Sequence, residues 1–272
     1  MRKIIITVAP VAGKPLTGTV NPLSAEEIAR DVIACAKAGA SQVHLHVRDL
    51  GGNLTDDTAV FSATVRLIRQ QSDIIIQGST GGVSELSLES RCTALKEPLV
   101  EVASLNLGSC NFGEGVYVNT LQDIRFWAEK ILAAGVKPEL EIFEAGMMNN
   151  VALLAAEGVL KAPFAYGFVL GVKGALPATA YSLHFLQGLV PQGSVWGCIH
   201  AEMDDLSLLA TAIGMGASFV RVGFEDSIYY SRGRSAGTNA ELVERAASLV
   251  RAMGLEVARP AEAREILGLP GR

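Results

Sequence analysis

The chain has 272 residues, 49% hydrophobic and 19% charged, enough to bury a large core in one or two domains. Its 23 basic and 28 acidic residues leave a net charge of −5, which argues against a nucleic-acid partner, since that requires a basic stripe. No continuous apolar run reaches the ~18 residues that span a bilayer, so no membrane partner is expected.

The opening MRKIIITVAP reads directly as a strand and lacks the apolar stretch and cleavage site of a signal peptide. From there, short β-rich runs alternate with longer segments of helical periodicity, the pattern of parallel βαβ units. The predicted strands are 4–9, 41–47, 73–78, 100–106, 137–143, 164–170, 194–200 and 217–223. Helical stretches follow each, centred near 24–38, 56–70, 84–96, 119–134, 146–158, 178–189, 202–214 and 238–253. In the first, Ser24 and Glu27 form a capping box, Ile28, Val32, Ile33 and Cys35 an apolar stripe, and Gly39 the stop. In the last, Asn239 is the expected cap and Gly254 the stop. No linker divides the chain. Eight strand–helix repeats predict a single-domain α/β fold over 1–272, a (β/α)8 TIM barrel. The alternative, an open doubly wound sheet, lacks its Gly-rich turn: the first loop has only Gly13 and no GxGxxG.

A barrel places its chemistry at the C-terminal ends of the strands. In VHLHVRD (43–49), His44 and His46 share one face and Leu45 takes the other, because strand residues alternate. The pair is either two hydrogen-bonded core histidines or two-thirds of a metal site. Glu225, after strand 8, would complete a two-histidine, one-carboxylate set with an open position, the donor set of catalytic zinc. That placement assumes extended geometry through Arg221, Gly223 and Glu225. His200, ending strand 7, reads as a further ligand, a supporting group or a rim histidine. Arg221 and Asp226 form either a proton-transfer pair or a structural salt bridge. Glu139 and Glu141 point into the barrel, where a carboxylate needs a partner. Glu141, nearer the top, is expected to meet Arg48, Arg221 or a ligand, and Glu139 to be structural. Arg48 either binds a substrate carboxylate or neutralises a glutamate. The segment GSTGG (78–82) offers backbone amides with the Ser79 and Thr80 hydroxyls, and strand 4 ends in Ser104 and Asn106. Lys173 reads as a solvated loop residue and His184 as a surface or packing residue of helix 6. Cys35, Cys92, Cys110 and Cys198 form no CxxC pair and read as reduced core thiols of a cytoplasmic protein.

Taken together, VHLHVRD (43–49), QGSTGG (77–82), PELEIF (138–143) and RVGFEDSIY (221–229) resemble the β-keto acid cleavage enzymes. The resemblance runs from TVAP (7–10) to the last helix. It implies a zinc-dependent, commonly tetrameric barrel enzyme that turns a β-keto acid and acetyl-CoA into acetoacetate and a new acyl-CoA. By the same resemblance His44, His46 and Glu225 are the metal ligands, and Arg221 with Asp226 the catalytic dyad. Glu141 falls on the family's strand-5 glutamate, and Ser79 and Asn106 on its polar substrate contacts. One departure stands out. The first loop, VAGKPLTGTVNP (11–22), has Lys14 and no carboxylate where such enzymes usually place an acidic residue. A neutral or anionic substrate is therefore expected rather than 3-keto-5-aminohexanoate. The competing readings are a CoA-independent metal-dependent aldolase or lyase, and a non-catalytic metal-binding barrel.

Overall fold

The computed structural model describes residues 1–13, 16, 19–81 and 86–270. Eight parallel strands form its centre: β1 (Lys3–Val8), β2 (Gln42–Leu45), β3 (Ile75–Ser79), β4 (Val102–Asn106), β5 (Lys137–Ile142), β6 (Ala165–Leu170), β7 (Val195–His200) and β8 (Phe219–Val222). Each pairs with its neighbour in sequence, and β1 returns to β8 through Ile5↔Phe219, Ile6↔Val220, Thr7↔Arg221 and Val8↔Val222. The sheet is closed. The predicted barrel is the fold, and every predicted strand lies within a residue or two of an observed one.

Helices α1 (Ala25–Ala38), α2 (Thr58–Arg69), α3 (Leu121–Ala133), α4 (Gly146–Ala156), α5 (Ala180–Gln187), α6 (Ser207–Gly214) and α7 (Asn239–Ala252) form the outer ring. The α1 capping box is present in both directions: Glu27 N–H donates to Ser24 Oγ, and Ser24 N–H to Glu27 Oε2, both at 3.2 Å. On α7 the cap is Thr238 rather than Asn239. Asn239 is fully buried and turns inward instead, its Oδ1 accepting from Phe224 N–H at 2.8 Å and its Nδ2 donating to Asp31 at 2.7 Å. The third crossover also differs. Of the helix expected over 84–96, residues 84 and 85 lie outside the described residues, and within the rest a 3-10 helix spans Ser90–Lys96. There Ser90 N–H donates to Ser87 Oγ at 3.1 Å, a local bond that competes with the α-helical ladder.

Three features carry too few residues for a periodicity and escaped the sequence reading. Hairpins at 110–117 and 229–235 rise from the C-terminal rim after β4 and β8. The first is held by Gly113 N–H on the Lys173 carbonyl at 3.0 Å and by the exposed Lys173–Glu114 ion pair. At the opposite end α8 (Pro260–Leu267) plugs the barrel. Its Ala263 and Leu267 pack with Ile5, Ile75, Val102, Ala165 and Phe219 in an apolar layer. Above that layer the interior turns polar, with Gln42, Gln77 and Glu139 all buried. Among the described residues no helix is long and apolar enough to cross a membrane.

Candidate metal centre and active site

The β2 alternation holds. Val43, Leu45 and Val47 join the apolar cluster between sheet and helices, leaving Gln42, His44 and His46 to the interior. His44 is buried, its Nδ1 lies 2.7 Å from Gln77 Oε1, and its ring centroid lies 5.1 Å from that of His46. Burial, then the nearby Arg221 charge, push His44 well below the usual histidine range, so its imidazole is neutral.

Glu225 arrives by a turn, not by strand alternation. The extended geometry stops at Val222, and Gly223 adopts φ +141°, where a side chain would be strained. A Cβ at Gly223 would lie 2.2 Å from the Ala9 carbonyl oxygen, so only glycine lets the chain pass. The turn is then pinned by Glu225 N–H on the Ala9 carbonyl at 3.1 Å and by Asn239 on Phe224. Glu225 Oε1 comes to 3.5 Å from His44 Nε2, and Oε2 to 3.8 Å from His46 Nε2. One donor atom from each of the three residues lies within 4.8 Å of the others.

Arg221 sits beside this triad, 5% exposed. Its Nε and Nη2 grip both oxygens of Asp226 at 2.8 and 2.6 Å, a bidentate pair. Nη1 donates to Glu141 Oε1 at 3.2 Å and Nη2 to Glu225 Oε1 at 3.3 Å. Burial works against the guanidinium's charge, yet Asp226, Glu225 and Glu141 together hold its pKa well above the ordinary value. Burial pushes Glu141 up to about 7, opposed by Arg221 and reinforced by Glu139, Glu225 and Asp226. Asp226 is raised for the same first reason, against the pull of Arg221. Three carboxylates thus share one guanidinium, and Glu225 Oε2 is buried without a hydrogen-bond partner. Two imidazoles and a carboxylate facing one another beside further carboxyl groups suit a divalent cation.

These groups line one cavity of about 490 Å³ at the C-terminal mouth, floored by His44, His46, Ser79, Glu141, Arg221, Glu225 and Asp226. Its walls include Phe112 and Tyr117 from the first hairpin, with Phe143, Val169 and Val172. Residues 3–269 match the β-keto acid cleavage enzyme family. The chain belongs to that family. It is 40% identical to a 3-keto-5-aminohexanoate cleavage enzyme of Fusobacterium nucleatum, over 99% of each chain. It is 32% identical to a 3-oxoadipate:acetyl-CoA acetyltransferase of Cupriavidus necator, over 92% of this chain and 88% of that one. Among solved structures, a ternary complex of ObcA with a C4-CoA adduct and oxalate superposes with a TM-score of 0.76. That match has 21% identity and covers 92% of this chain and 67% of the other. It bears on the fold alone.

Not every expected residue of this β-keto acid cleavage enzyme faces the cavity. Ser79 does, its Oγ accepting from Gly81 N–H at 3.0 Å. Thr80 is buried behind it, its hydroxyl given to the Ser104 carbonyl and its own carbonyl accepting from Arg91 at 2.8 Å. Asn106 is buried, with Oδ1 on Gly108 N–H at 3.2 Å and Nδ2 without a hydrogen-bond partner. Arg48 is spent on backbone: its nitrogens donate to the carbonyls of Pro22, Gly52 and Ala12. Among the described residues it meets no glutamate, and it does not line the cavity. His200 follows the outward phase of Trp196 and Cys198 and stands apart from the three-donor group. His184 is exposed on α5, and Lys14 lies outside the described residues. Sequence reading missed Gln77. Its signal was there, since it sits two residues before Ser79 on the inward face and is paired in register with His44.

Proposed function

We propose that the enzyme binds one zinc ion through His44, His46 and Glu225 and transfers acyl groups between a β-keto acid and acetyl-CoA. Acetoacetate and a new acyl-CoA are the products. The observation that carries this reading is the three-donor cluster set directly beside the Arg221–Asp226–Glu141 network in one cavity. When bound, the cation supplies a Lewis acid that polarises the keto oxygen.

The protein's side chains do the rest. Asp226 takes the proton from the carbon between ketone and carboxylate, with Arg221 fixing both its oxygens so that it presents a defined lone pair. Glu141, poised at about 7 beside the same guanidinium, can hold and return that proton near neutral pH. Ser79 Oγ accepts from Gly81, so its own hydroxyl proton is available to the substrate carboxylate. Thr80 and Arg48 brace the walls. The deprotonated carbon attacks the acetyl thioester and expels CoA thiolate. That thiolate adds to the original keto carbon, and cleavage of the adjacent carbon–carbon bond releases acetoacetate.

The substrate is a neutral or anionic β-keto acid. Among the described residues the cavity's only carboxylates are the floor triplet, and its upper walls are apolar, so a substrate amine would lack a partner. Lys14 in the first loop supports the same choice. Assembly into a homotetramer is part of this reading, supported by Tyr181 and Phe185 exposed on α5 and Leu189 just beyond its end. Residence in the cytoplasm is supported by four free, buried cysteines.

Metal analysis of purified wild type and His46→Ala, alongside 3-oxohexanoate, 3-oxoadipate and 3-keto-5-aminohexanoate with and without acetyl-CoA, tests all of this. The expected result is one zinc per chain, lost in the variant, and acetoacetate release only with acetyl-CoA. Turnover without acetyl-CoA would instead indicate a lyase, and absence of metal would overturn the reading. A several-fold preference for the amino substrate would overturn the substrate class.

A further inference from the structure

We infer that Gln77 and Glu139 are positioning residues that lock His44 in the tautomer whose Nε2 is free to bind a cation. The inference rests on the metal reading above. His44 Nδ1 and Gln77 Oε1 are 2.7 Å apart and wholly buried, so one of them must donate. An amide has one donor end and one acceptor end, and its orientation follows from what lies beyond it. Beyond Gln77 lies Glu139, 1% exposed, whose Oε2 already accepts from Gln42 Nε2 at 3.1 Å. Among the described residues, Gln77 Nε2 and Glu139 Oε1 are both buried without a hydrogen-bond partner. Burial pushes Glu139 upward, opposed by the Arg221 charge and by the Gln42 and Gln77 side chains.

An amide oxygen accepts and cannot donate. With Gln77 Oε1 turned toward His44, Nε2 faces away from the imidazole, and His44 must carry its proton on Nδ1. Its Nε2 lone pair is left facing Glu225 Oε1 at 3.5 Å. Reversing the Gln77 amide would turn its donor end to His44 Nδ1 and put the imidazole proton on Nε2, the nitrogen that faces Glu225. The buried layer below the cavity thus sets the chemistry of the layer above it. A partner on the non-ligating nitrogen of a metal-bound histidine typically changes affinity by about 10–100-fold.

The test uses the whole enzyme and three readouts: 15N spectra of the imidazoles in metal-free protein, Co(II) affinity by chelator competition, and the visible spectrum of the Co(II) form. In wild type, His44 is expected as the Nδ1–H tautomer before any metal is added. Gln77→Met should give mixed tautomers, Co(II) binding weaker by about 10–100-fold and a changed spectrum. Gln77→Glu, which keeps the acceptor, should recover affinity to within several-fold of wild type. Glu139→Gln should fall between. An Nε2–H tautomer in metal-free wild type overturns the inference even if Gln77→Met proves unfoldable. Unchanged Co(II) affinity and spectrum in a folded Gln77→Met protein overturn this inference alone. Failure of wild type to take up Co(II) overturns the metal reading and this inference with it.

Discussion

Arg221 is one cation answering to Asp226, Glu141 and Glu225, and that imbalance makes the site sensitive to pH. Glu141 titrates at about 7 in the folded protein against an ordinary 4.5. Between those values the folded state holds a proton that the unfolded chain has released, so this group's contribution favours folding at low pH and is lost as pH rises through 7. Metal-free wild type should therefore gain thermal stability relative to Glu141→Gln as pH is lowered from 8 to 5.5. Comparing the two proteins cancels the opposite contribution of His44, whose depressed pKa disfavours the fold below its ordinary range. A pH-independent difference would show that Glu141 titrates normally. The histidines, Glu141 and Arg221 were legible in the sequence because strand alternation alone decides where they point. Arg48 was misread for the same reason. Alternation gave its face, but three backbone carbonyls in the neighbouring loops claim its donors, and those loops leave no local pattern.

At the level of single elements, strands and long amphipathic helices were readable, whereas turns and short segments were not. The Gly223 turn decides where Glu225 and Asp226 go, yet in the sequence it is one glycine among 28. Gly223→Ala combines an unfavourable φ with a collision against the Ala9 carbonyl. It should cost about 2 kcal/mol or more in unfolding free energy and sharply weaken cation binding through a displaced Glu225. Denaturant unfolding and zinc titration of the variant would check both effects, and a wild-type profile would mean the turn is permissive. The 3-10 helix at Ser90–Lys96 escaped because local serine bonds override helical spacing there. The plug α8 was hidden by its composition. Its eight residues are polar enough to read as a tail, and only the barrel's apolar floor shows why Ala263 and Leu267 are buried.

For the whole molecule, alternation of strand and helix was sufficient to give the closed barrel, because eight such repeats leave few ways to bury both faces of a parallel sheet. How copies of that barrel associate is a surface property, and the sequence pattern carries it only weakly. Most outer helices present a polar face, but α5 exposes Tyr181 and Phe185, with Leu189 exposed just past its end. Light scattering should return four times the 28.7 kDa chain mass, and a Tyr181→Asp/Phe185→Asp variant should return less. A monomeric wild type would remove the tetramer from the functional reading. The seam where β1 meets β8 has a consequence for biosynthesis. The histidines lie on and just after the second strand, whereas Glu225 follows the eighth, so most of the polypeptide must be made before the third of the proposed ligands exists. Two imidazoles alone hold divalent ions loosely. On the metal reading proposed above, the emerging chain would be kept from trapping whichever metal is abundant, and a cation would be retained only by a barrel that has already closed.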